Sequence, residues 1–247
     1  ALARGLPLRA GQSTTYSSVV GVAAPGQMRR AFLHYIESER PRAYSPFLHY
    51  NSWFDIAYGG AYNETDAIYR IHAFGRELVD KRHVEIIAFL FDEGWGNPNS
   101  MWGFNSGFPD GFTKTAAAAE QIHSGIGVWF SPWGGYMERR KERIAYGRAH
   151  GYEIIKDGYA LSGPKYYQRF EQVFLEMVDR YGVNQFKIDG TGNADRVFPG
   201  SAFDSDFDAA IHLIQVVRRH KPSTFINLTT GTYPSPFWLF DADSIWR

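Results

Sequence analysis

Cysteine is absent from this chain of 247 residues, so a disulfide scaffold, a thiolate metal site and a cysteine nucleophile are excluded. A net charge is absent as well, because 26 basic residues balance 26 acidic residues. This balance argues against nucleic acid or an anionic membrane surface as the main partner. No apolar run approaches the roughly 18 residues that a membrane-spanning helix needs. We expect no nucleic-acid partner and no membrane segment, and we favour a periplasmic or secreted location.

Metal-ligand spacing is lacking among the eight histidines, since no His-x-x-x-His pair occurs. Asp204, Asp206 and Asp208 resemble the start of a calcium loop, but the glycine at its sixth position and the distal glutamate are missing. We interpret these aspartates as the start of a helix. The sequence therefore predicts no metal and no cofactor.

Aromatic residues, by contrast, are abundant at 17% of the chain, and hydrophobic residues make up 44%. The hydrophobic content predicts a globular core, and the length suits one large domain or one domain plus a fragment. Aromatic faces line sugar-binding clefts, but they also fill large cores. Composition alone leaves both interpretations open.

From Pro46 onward the chain alternates short apolar runs with helical patterns. The runs that we interpret as strands are 47–53, 85–92, 126–133, 183–190, 224–230 and 243–247. Helices are predicted over 65–81, 113–123, 138–150, 165–181 and 206–220. Residues 1–45 differ, with an extended stretch at 13–22 and a short helix at 25–40. We interpret 1–45 as a lead-in, or as the end of a preceding β-rich domain, and 46–247 as the main domain.

Nearly continuous apolar strands between helices indicate a parallel sheet that is covered on both faces. A (β/α)8 barrel and an open doubly wound sheet both fit this pattern. Polar and aromatic residues recur at the carboxyl ends of the strands, which favours the barrel because a barrel gathers such residues into one mouth. We therefore predict an α/β fold, a (β/α)8 TIM-type barrel with only about six strands in this chain. The remaining strands are expected from residues outside this sequence or from another chain.

Lys187 and Asp189 end the fourth predicted strand. Residues two apart in a strand project to the same side, so these two side chains point together while Ile188 faces away. A cation beside a carboxylate holds it ionised, and an ionised carboxylate at a barrel mouth can attack a sugar. The alternative is a buried ion pair that only stabilises the strand end, although desolvation leaves such pairs little net stability.

Asp92, Glu93 and Trp95 follow the second predicted strand. Adjacent carboxylates repel unless something binds against them, and sugar hydroxyls can donate hydrogen bonds to both. The indole favours a sugar ring, whose C–H face packs on it. The alternative is a helix N-cap or an ordinary turn with solvated charges.

Three further residues stand at strand ends. Trp53 and Trp133 can supply stacking walls or belong to the core, whereas mid-strand Trp129 is better explained as core or barrel interior. Arg247 ends the sixth strand, and its fork of donors can grip neighbouring hydroxyls or a carboxylate. Taken alone, Arg247 is better explained as a solvated side chain.

The ordered set of these residues resembles the α-galactosidase clan of retaining glycoside hydrolases. The resemblance covers about 46–247 and rests on Asn51-Ser52-Trp53, Asp92-Glu93-Gly94-Trp95, Lys187-x-Asp189 and Trp246-Arg247. It implies a retaining α-glycoside hydrolase that acts on an oligosaccharide or glycoconjugate with a terminal α-linked sugar.

The resemblance also implies roles for single residues. Asp189 would be the nucleophile, with Lys187 and Arg247 in contact with the sugar. Asp92 and Glu93 would bind the O4 and O6 hydroxyls, and Trp53 would line the subsite. We add Trp95 and Trp133 to the expected substrate-binding residues on the evidence of their positions.

Two departures from the clan pattern stand out. The clan usually has two aspartates where this chain has Asp92-Glu93, and the extra methylene would shift the preferred sugar or its orientation. The acid/base aspartate of the clan follows the strand-six arginine, so we expect this group beyond Arg247, since Asp241 and Asp243 lie toward the wrong end of the strand. Two alternatives stay open. One is a non-catalytic carbohydrate-binding relative, and the other is the same chemistry on α-N-acetylgalactosaminides or α-glucosides, with 230–234 bearing on the C2 substituent.

Overall fold

Six parallel strands form the main sheet of the computed structural model, which describes residues 6–58, 62–190, 196–229 and 235–246. The strands stand in the spatial order β1-β2-β3-β6-β7-β8. Their bounds are β1 (His49–Asn51), β2 (Ala88–Phe91), β3 (Gly125–Phe130), β6 (Gln185–Ile188), β7 (Phe225–Leu228) and β8 (Ser244–Ile245). The prediction of a parallel sheet is confirmed, because each neighbouring pair runs parallel.

Helices alternate with these strands, as predicted. They are α1 (Met28–Glu39), α2 (Glu64–Phe74), α3 (Thr113–Glu120), α4 (Met137–Ala149), α5 (Pro164–Tyr181) and α6 (Asp206–His220). A π-helical segment, Gly75–Asp80, extends α2, and 3-10 turns occupy Ser52–Phe54 and Pro236–Phe240. A small antiparallel hairpin, β4 (Ile154–Ile155) with β5 (Gly158–Tyr159), lies between α4 and α5 and was not predicted.

Local sequence signals set several helix ends. Asn63 and Asp66 form a reciprocal capping box at the start of α2. Ser205 caps α6 by accepting a hydrogen bond from the backbone N–H of Asp208, so the aspartates of this segment belong to a helix start, as interpreted from sequence. Gly182 ends α5 in the left-handed conformation, at φ 65°.

The sheet curls into a half-barrel. The ring of Phe47, just before β1, stacks on the ring of Phe225 in β7 with centroids 4.0 Å apart. In a flat sheet β1 and β7 would be separated by about 19 Å, four strand spacings. The contact therefore requires strong curvature, in keeping with a partial (β/α) barrel.

Alternation along β6 separates the two faces of the sheet. Phe186 packs outward on Phe174 of α5, with centroids 4.4 Å apart. Lys187 projects to the opposite side, into the half-barrel, where its ammonium meets Asp92. The interior also receives the polar side chains of Asn227 and Ser244, which share a hydrogen bond of 2.6 Å.

Helix α1, which precedes the sheet in sequence, packs against the 3-10 turn that leads into β8. Phe32 and Tyr35 of α1 contact Phe237 and Phe240 edge-to-face. Arg42 donates to Asp243 Oδ1 from Nε at 3.0 Å and from Nη2 at 2.6 Å. The stretch 13–22 is extended and largely exposed, with no strand assigned to it. The interpretation of 1–45 as the end of a β-rich domain stays a prediction.

The described residues include neither a membrane-spanning helix nor a cluster of metal ligands. None of the described helices has the length and apolar character needed to cross a membrane. Within the same part of the chain, no group of three or more His, Cys, Asp or Glu side chains is arranged to hold a metal ion.

Candidate functional site

Asp189 lies directly after β6, at the carboxyl-terminal mouth of the half-barrel, and is 8% exposed. Its Oδ2 accepts a hydrogen bond of 3.0 Å from Trp129 Nε1, and its Oδ1 accepts one of 3.0 Å from the Tyr136 hydroxyl. Its backbone N–H donates to the carbonyl of Phe130 in the neighbouring strand at 2.8 Å. Two side-chain donors on one carboxylate fix its direction, which is what a nucleophile held for in-line attack requires.

The loop after β3 brings Tyr136 to this carboxylate. Gly134 and Gly135 adopt φ of 112° and 94°, conformations that side chains rarely tolerate. These two glycines turn the chain between Trp133 and Tyr136, whose rings then meet edge-to-face at 5.8 Å. Trp133 also packs against Gly190, where an added Cβ would lie only 2.8 Å from the indole Nε1. Glycine at these positions is therefore needed to build the site.

Asp92 forms a buried ion pair with Lys187. The Lys187 Nζ donates to Asp92 Oδ2 at 2.6 Å, and the two side chains are 5% and 3% exposed. Burial raises the pKa of the Asp92 carboxyl, while the charge of Lys187 acts to lower it. The Asp92 backbone is held by Ser52, whose Oγ accepts from its N–H, and by Tyr62, whose hydroxyl donates to its carbonyl. Lys187 was predicted beside Asp189, and the structure gives it an ion pair with Asp92.

Glu93 has its own cation, Arg143 of α4. The Arg143 Nη1 donates to Glu93 Oε1 at 3.0 Å, and this guanidinium is almost fully buried, 4.5 Å over the ring of Trp102. Burial raises the pKa of the Glu93 carboxyl, and the charge of Arg143 opposes that rise. The acidic pair does not require a sugar to relieve its repulsion, as the sequence suggested, because the protein supplies one cation to each carboxylate.

The prediction that Trp95 binds the substrate is wrong. Its indole is 1% exposed and packs on Phe104, Phe112 and Phe130, so it is a core side chain and offers no face to a sugar. The cause is Gly94, whose φ of 140° turns the chain inward directly after Glu93. Asn105 Nδ2 holds this turn by donating to the Gly94 carbonyl at 2.6 Å.

Trp53 and Trp133 remain partly exposed and are open to a ligand. The ring of Trp53 meets Tyr58 edge-to-face at 5.5 Å, and the Arg140 guanidinium lies 4.9 Å over the Trp133 ring. Arg247 and the loop 230–234 lie outside the described residues, so their expected roles stay predictions. Trp246, next to Arg247, carries its ring 5.5 Å from the Lys187 Nζ.

A cavity of about 500 Å³ opens along β1 and next to Lys187, and Asp189, Asp92 and Glu93 are not among its lining residues. It is lined by His49 and Asn51 of β1, by Lys187, by Asn227 of β7 and by Trp246. Pockets of about 300–1,000 Å³ are typical for small ligands, and polar groups on an aromatic wall suit a sugar.

Sequence reasoning missed three residues of the site. Trp129 was interpreted as core, and it is buried, but its Nε1 binds Asp189. Its inward projection from β3 follows from strand alternation once the register with β6 is known. Tyr136 and Arg143 carry no comparable signal, because their approach depends on the two-glycine turn and on the orientation of α4. The need of Glu93 for a cation was the only hint toward Arg143.

Solved structures of α-galactosidases share this fold. The enzyme from Lactobacillus brevis matches with a TM-score of 0.61 and 14% identity, over 81% of this chain and 29% of that chain. The Thermus thermophilus enzyme in complex with p-nitrophenyl α-D-galactopyranoside matches with a TM-score of 0.60 and 14% identity, over 83% and 42%. A Geobacillus stearothermophilus GH36 enzyme in complex with raffinose matches with a TM-score of 0.56 and 13% identity, over 82% of this chain and 30% of that chain.

This chain therefore spans less than half the length of these three proteins. Its fold corresponds to part of the (β/α) barrel of these proteins. At such identities the similarity establishes the fold and leaves the reaction open. No protein-family model matches the sequence, and no curated protein is similar to it.

Proposed function

We propose that this chain is the barrel portion of a retaining α-glycoside hydrolase of the α-galactosidase type, with Asp189 as nucleophile. The observation that carries the proposal is the environment of Asp189. Its carboxylate stands at the strand end, is oriented by Trp129 and Tyr136, and lies next to the buried Lys187–Asp92 pair. The fold shared with α-galactosidases supports the same reaction class.

In the proposed first step, an Asp189 oxygen attacks the anomeric carbon from the face opposite the leaving group. The C–O bond to the aglycone breaks, and an acid gives its proton to the departing oxygen, leaving a glycosyl ester on Asp189. The same group then deprotonates water, which attacks the anomeric carbon and regenerates Asp189 with net retention. We propose that this acid/base comes from residues after Arg247, because Asp92 and Glu93 are each held by a cation.

The substrate proposed is an oligosaccharide or glycoconjugate with a terminal α-linked sugar, α-galactose being the first candidate. Related folds have been solved with raffinose and with stachyose. Asp92 and Glu93 are the proposed acceptors for sugar hydroxyls. Asp92 Oδ2 already accepts from Lys187 and its Oδ1 from the Glu93 backbone N–H at 2.9 Å, so a sugar would use the remaining lone pairs of these oxygens, whereas Arg143 engages only Oε1 of Glu93. Trp53 and Trp133 are the proposed walls, and Arg247 is a proposed further contact.

The deciding experiment replaces Asp189 by alanine in the full-length protein and measures hydrolysis of p-nitrophenyl α-D-galactopyranoside. We expect turnover to be abolished in Asp189→Ala, because no covalent intermediate can form. Asp179→Asn, an exposed carboxylate paired only with His220 among the described residues, serves as the control and should be fully active. Unchanged hydrolysis in Asp189→Ala would remove the nucleophile assignment. Sugar binding without hydrolysis in the wild type would point to a non-catalytic carbohydrate-binding protein.

A further inference from the structure

Arg139 is a cation near the site that forms no ion pair with any of the described residues. It lies in the first turn of α4, one turn before Arg143, so both side chains project from the same face of the helix. Arg139 is partly buried, and its Nη1 is shielded from solvent with no hydrogen-bond partner in the described part of the chain. A buried guanidinium nitrogen of this kind is costly unless something binds to it.

The position of Arg139 is set by the barrel. The helix that follows a barrel strand begins at the carboxyl-terminal mouth, so the first turn of α4 lies nearer the mouth than Arg143 does. Electrostatic coupling agrees with this placement. Burial raises the pKa of the Glu93 carboxyl, and the charges of Arg143 and then Arg139 oppose that rise. Arg139 acts in the same direction on the pKa of the buried Tyr62 hydroxyl, which bonds the Asp92 carbonyl.

Each carboxylate of the acidic pair already has a cation. Asp92 is neutralised by Lys187, and Glu93 is neutralised by Arg143. Asp189 adds a further negative charge at the mouth and accepts hydrogen bonds from the neutral side chains of Trp129 and Tyr136. Arg139 adds a positive charge on the side of the acidic pair, and none of the described carboxylates forms an ion pair with it. A neutral hydroxyl on the bound sugar would leave this charge unmatched, whereas an anionic substituent would match it.

We infer that Arg139 recognises an oxyanion carried by the sugar, at the end of the ring that Asp92 and Glu93 hold. The inference rests on the proposed function, because it assumes that a sugar binds at this acidic pair. The planar fork of a guanidinium fits the paired oxygens of a carboxylate or of a sulfate ester. The substrate class is then an α-linked uronic acid or a sulfated sugar.

The test measures sugar binding by calorimetry with full-length protein carrying Asp189→Ala, which prevents turnover. Three probes are compared at physiological salt: methyl α-D-galactopyranoside, its C6-carboxylate counterpart, and its 6-sulfate. We expect at least one anionic probe to bind about tenfold or more tightly than the neutral sugar, the effect of one charge-assisted hydrogen bond. The carboxylate and sulfate arms identify which oxyanion the site prefers.

The residue assignment is tested in the same background. Arg139→Gln should remove the preference for the anion and leave the affinity for the neutral sugar nearly unchanged. Lys141→Gln removes a charge from the same helix at an exposed position and should keep the preference, which controls for long-range electrostatics. Arg139→Lys retains the charge without the fork and should keep a reduced preference. If Arg139→Gln fails to fold, the reduced preference for the anion in Arg139→Lys tests the inference instead.

Equal or tighter binding of the neutral sugar would overturn this inference and leave the proposed function standing. A preference for the anion that is undiminished in both Arg139 variants would also overturn it. Failure of all three probes to bind would overturn the proposed function together with the inference.

Discussion

Asp189 receives hydrogen bonds from two neutral donors that arrive from different parts of the β3–α4 region. Trp129 projects from the strand itself, whereas Tyr136 is delivered by the glycine turn after it. The indole is buried and fixed by packing, while the phenol is partly exposed. Of the two donors, Tyr136 is therefore the one whose hydrogen bond can be removed with little disturbance of the core.

Replacing Tyr136 by phenylalanine should lower kcat/KM on an aryl α-glycoside by about 10- to 100-fold. The reason is that the variant loses a hydrogen bond to a charged group, which is worth about 1.5–3 kcal/mol. Tyr146→Phe is the matched control and should have wild-type kinetics, because the Tyr146 ring lies in α4 and stacks on His150 just after the end of that helix. Wild-type kinetics in Tyr136→Phe would show that its contact with Asp189 has no part in the reaction.

The burial of His49 leads to a prediction about how stability depends on pH. Burial lowers the pKa of the His49 imidazole below its ordinary value of 6.5, and the charge of Lys187 acts in the same direction. The unfolded chain therefore binds this proton more readily than the folded protein does. The neutral His49 side chain contributes fully to stability above pH 6.5. This contribution is lost as the pH falls from 6.5 toward the lowered pKa of the folded state.

Replacing His49 by glutamine should consequently reduce the loss of unfolding free energy between about pH 7 and pH 5. Urea denaturation at several pH values measures this slope. His34→Gln, an exposed histidine on α1, is the control and should keep the wild-type slope. An undiminished slope in His49→Gln would mean that His49 titrates alike in the folded and unfolded states.

Strand alternation explains why part of the site could be predicted from sequence. Asp92, Lys187 and Asp189 were placed correctly at the mouth because each lies at the carboxyl end of a predicted parallel strand. The prediction for Trp95 was wrong because it placed the indole beside the acidic pair just past β2, whereas Gly94, at φ 140°, turns the chain inward. The cations that hold Glu93 and Asp92 could not be assigned, since their approach depends on how helix and strand pack.

At the scale of elements, the site depends on the fit between α4 and the β3–α4 turn. Arg143 of α4 donates both to Glu93 and to the Gly134 carbonyl, so one guanidinium joins the helix, the turn and the acidic pair. The turn lies so close that a Cβ on Gly135 would be 2.6 Å from the Arg143 Nη1. The space for the guanidinium exists only because position 135 is glycine.

Gly135→Ala should therefore destabilise the protein and weaken sugar binding together. Strain at φ 94° accounts for about 1–3 kcal/mol, and displacement of Arg143 from Glu93 adds to it. Gly200→Ala is the matched control, since Gly200 also has positive φ, 85°, but a Cβ there meets nothing within 4 Å. Chemical denaturation and sugar titration should show a larger loss for Gly135→Ala. Equal losses would indicate that strain alone, and no contact with Arg143, sets the requirement for glycine.

The bounds of the elements were predictable to different degrees. The helix predicted over 206–220 is observed as α6 (Asp206–His220), because its cap and its amphipathic pattern agree. The strands are shorter than predicted, mostly at both ends, and the polar residues after their carboxyl ends lie at the mouth, outside the ladder. The hairpin β4–β5 was missed because two-residue strands are too short to show a period.

At the scale of the whole molecule, the two ends of the curled sheet are tied by buried charge. Asp243 Oδ1 pairs with Arg42, and its Oδ2 accepts from Arg218 Nη2 at 2.8 Å and from the backbone N–H of Ile226 at 2.7 Å. The Asp243 side chain is 8% exposed. It thus joins the segment before β1, helix α6 and strand β7 in one network.

Asp243→Ala should lower the unfolding free energy by about 3–5 kcal/mol, because it removes the carboxylate that pairs with the largely buried Arg218. Asp179→Ala removes an exposed carboxylate paired with His220 and should cost little. Guanidinium denaturation of both variants provides the comparison. Equal stabilities of the two variants would show that the Asp243 network does not hold the half-barrel together.

The Arg42–Asp243 contact has one more consequence, for the order in which the chain folds. Its two residues are 201 positions apart, whereas each βαβ unit joins segments that are much closer in sequence. Bringing distant segments together carries the larger entropy cost, so the successive βαβ units are expected to assemble first and the two ends of the sheet to meet last. By the same reasoning, we expect the folded molecule to open first at the seam between them.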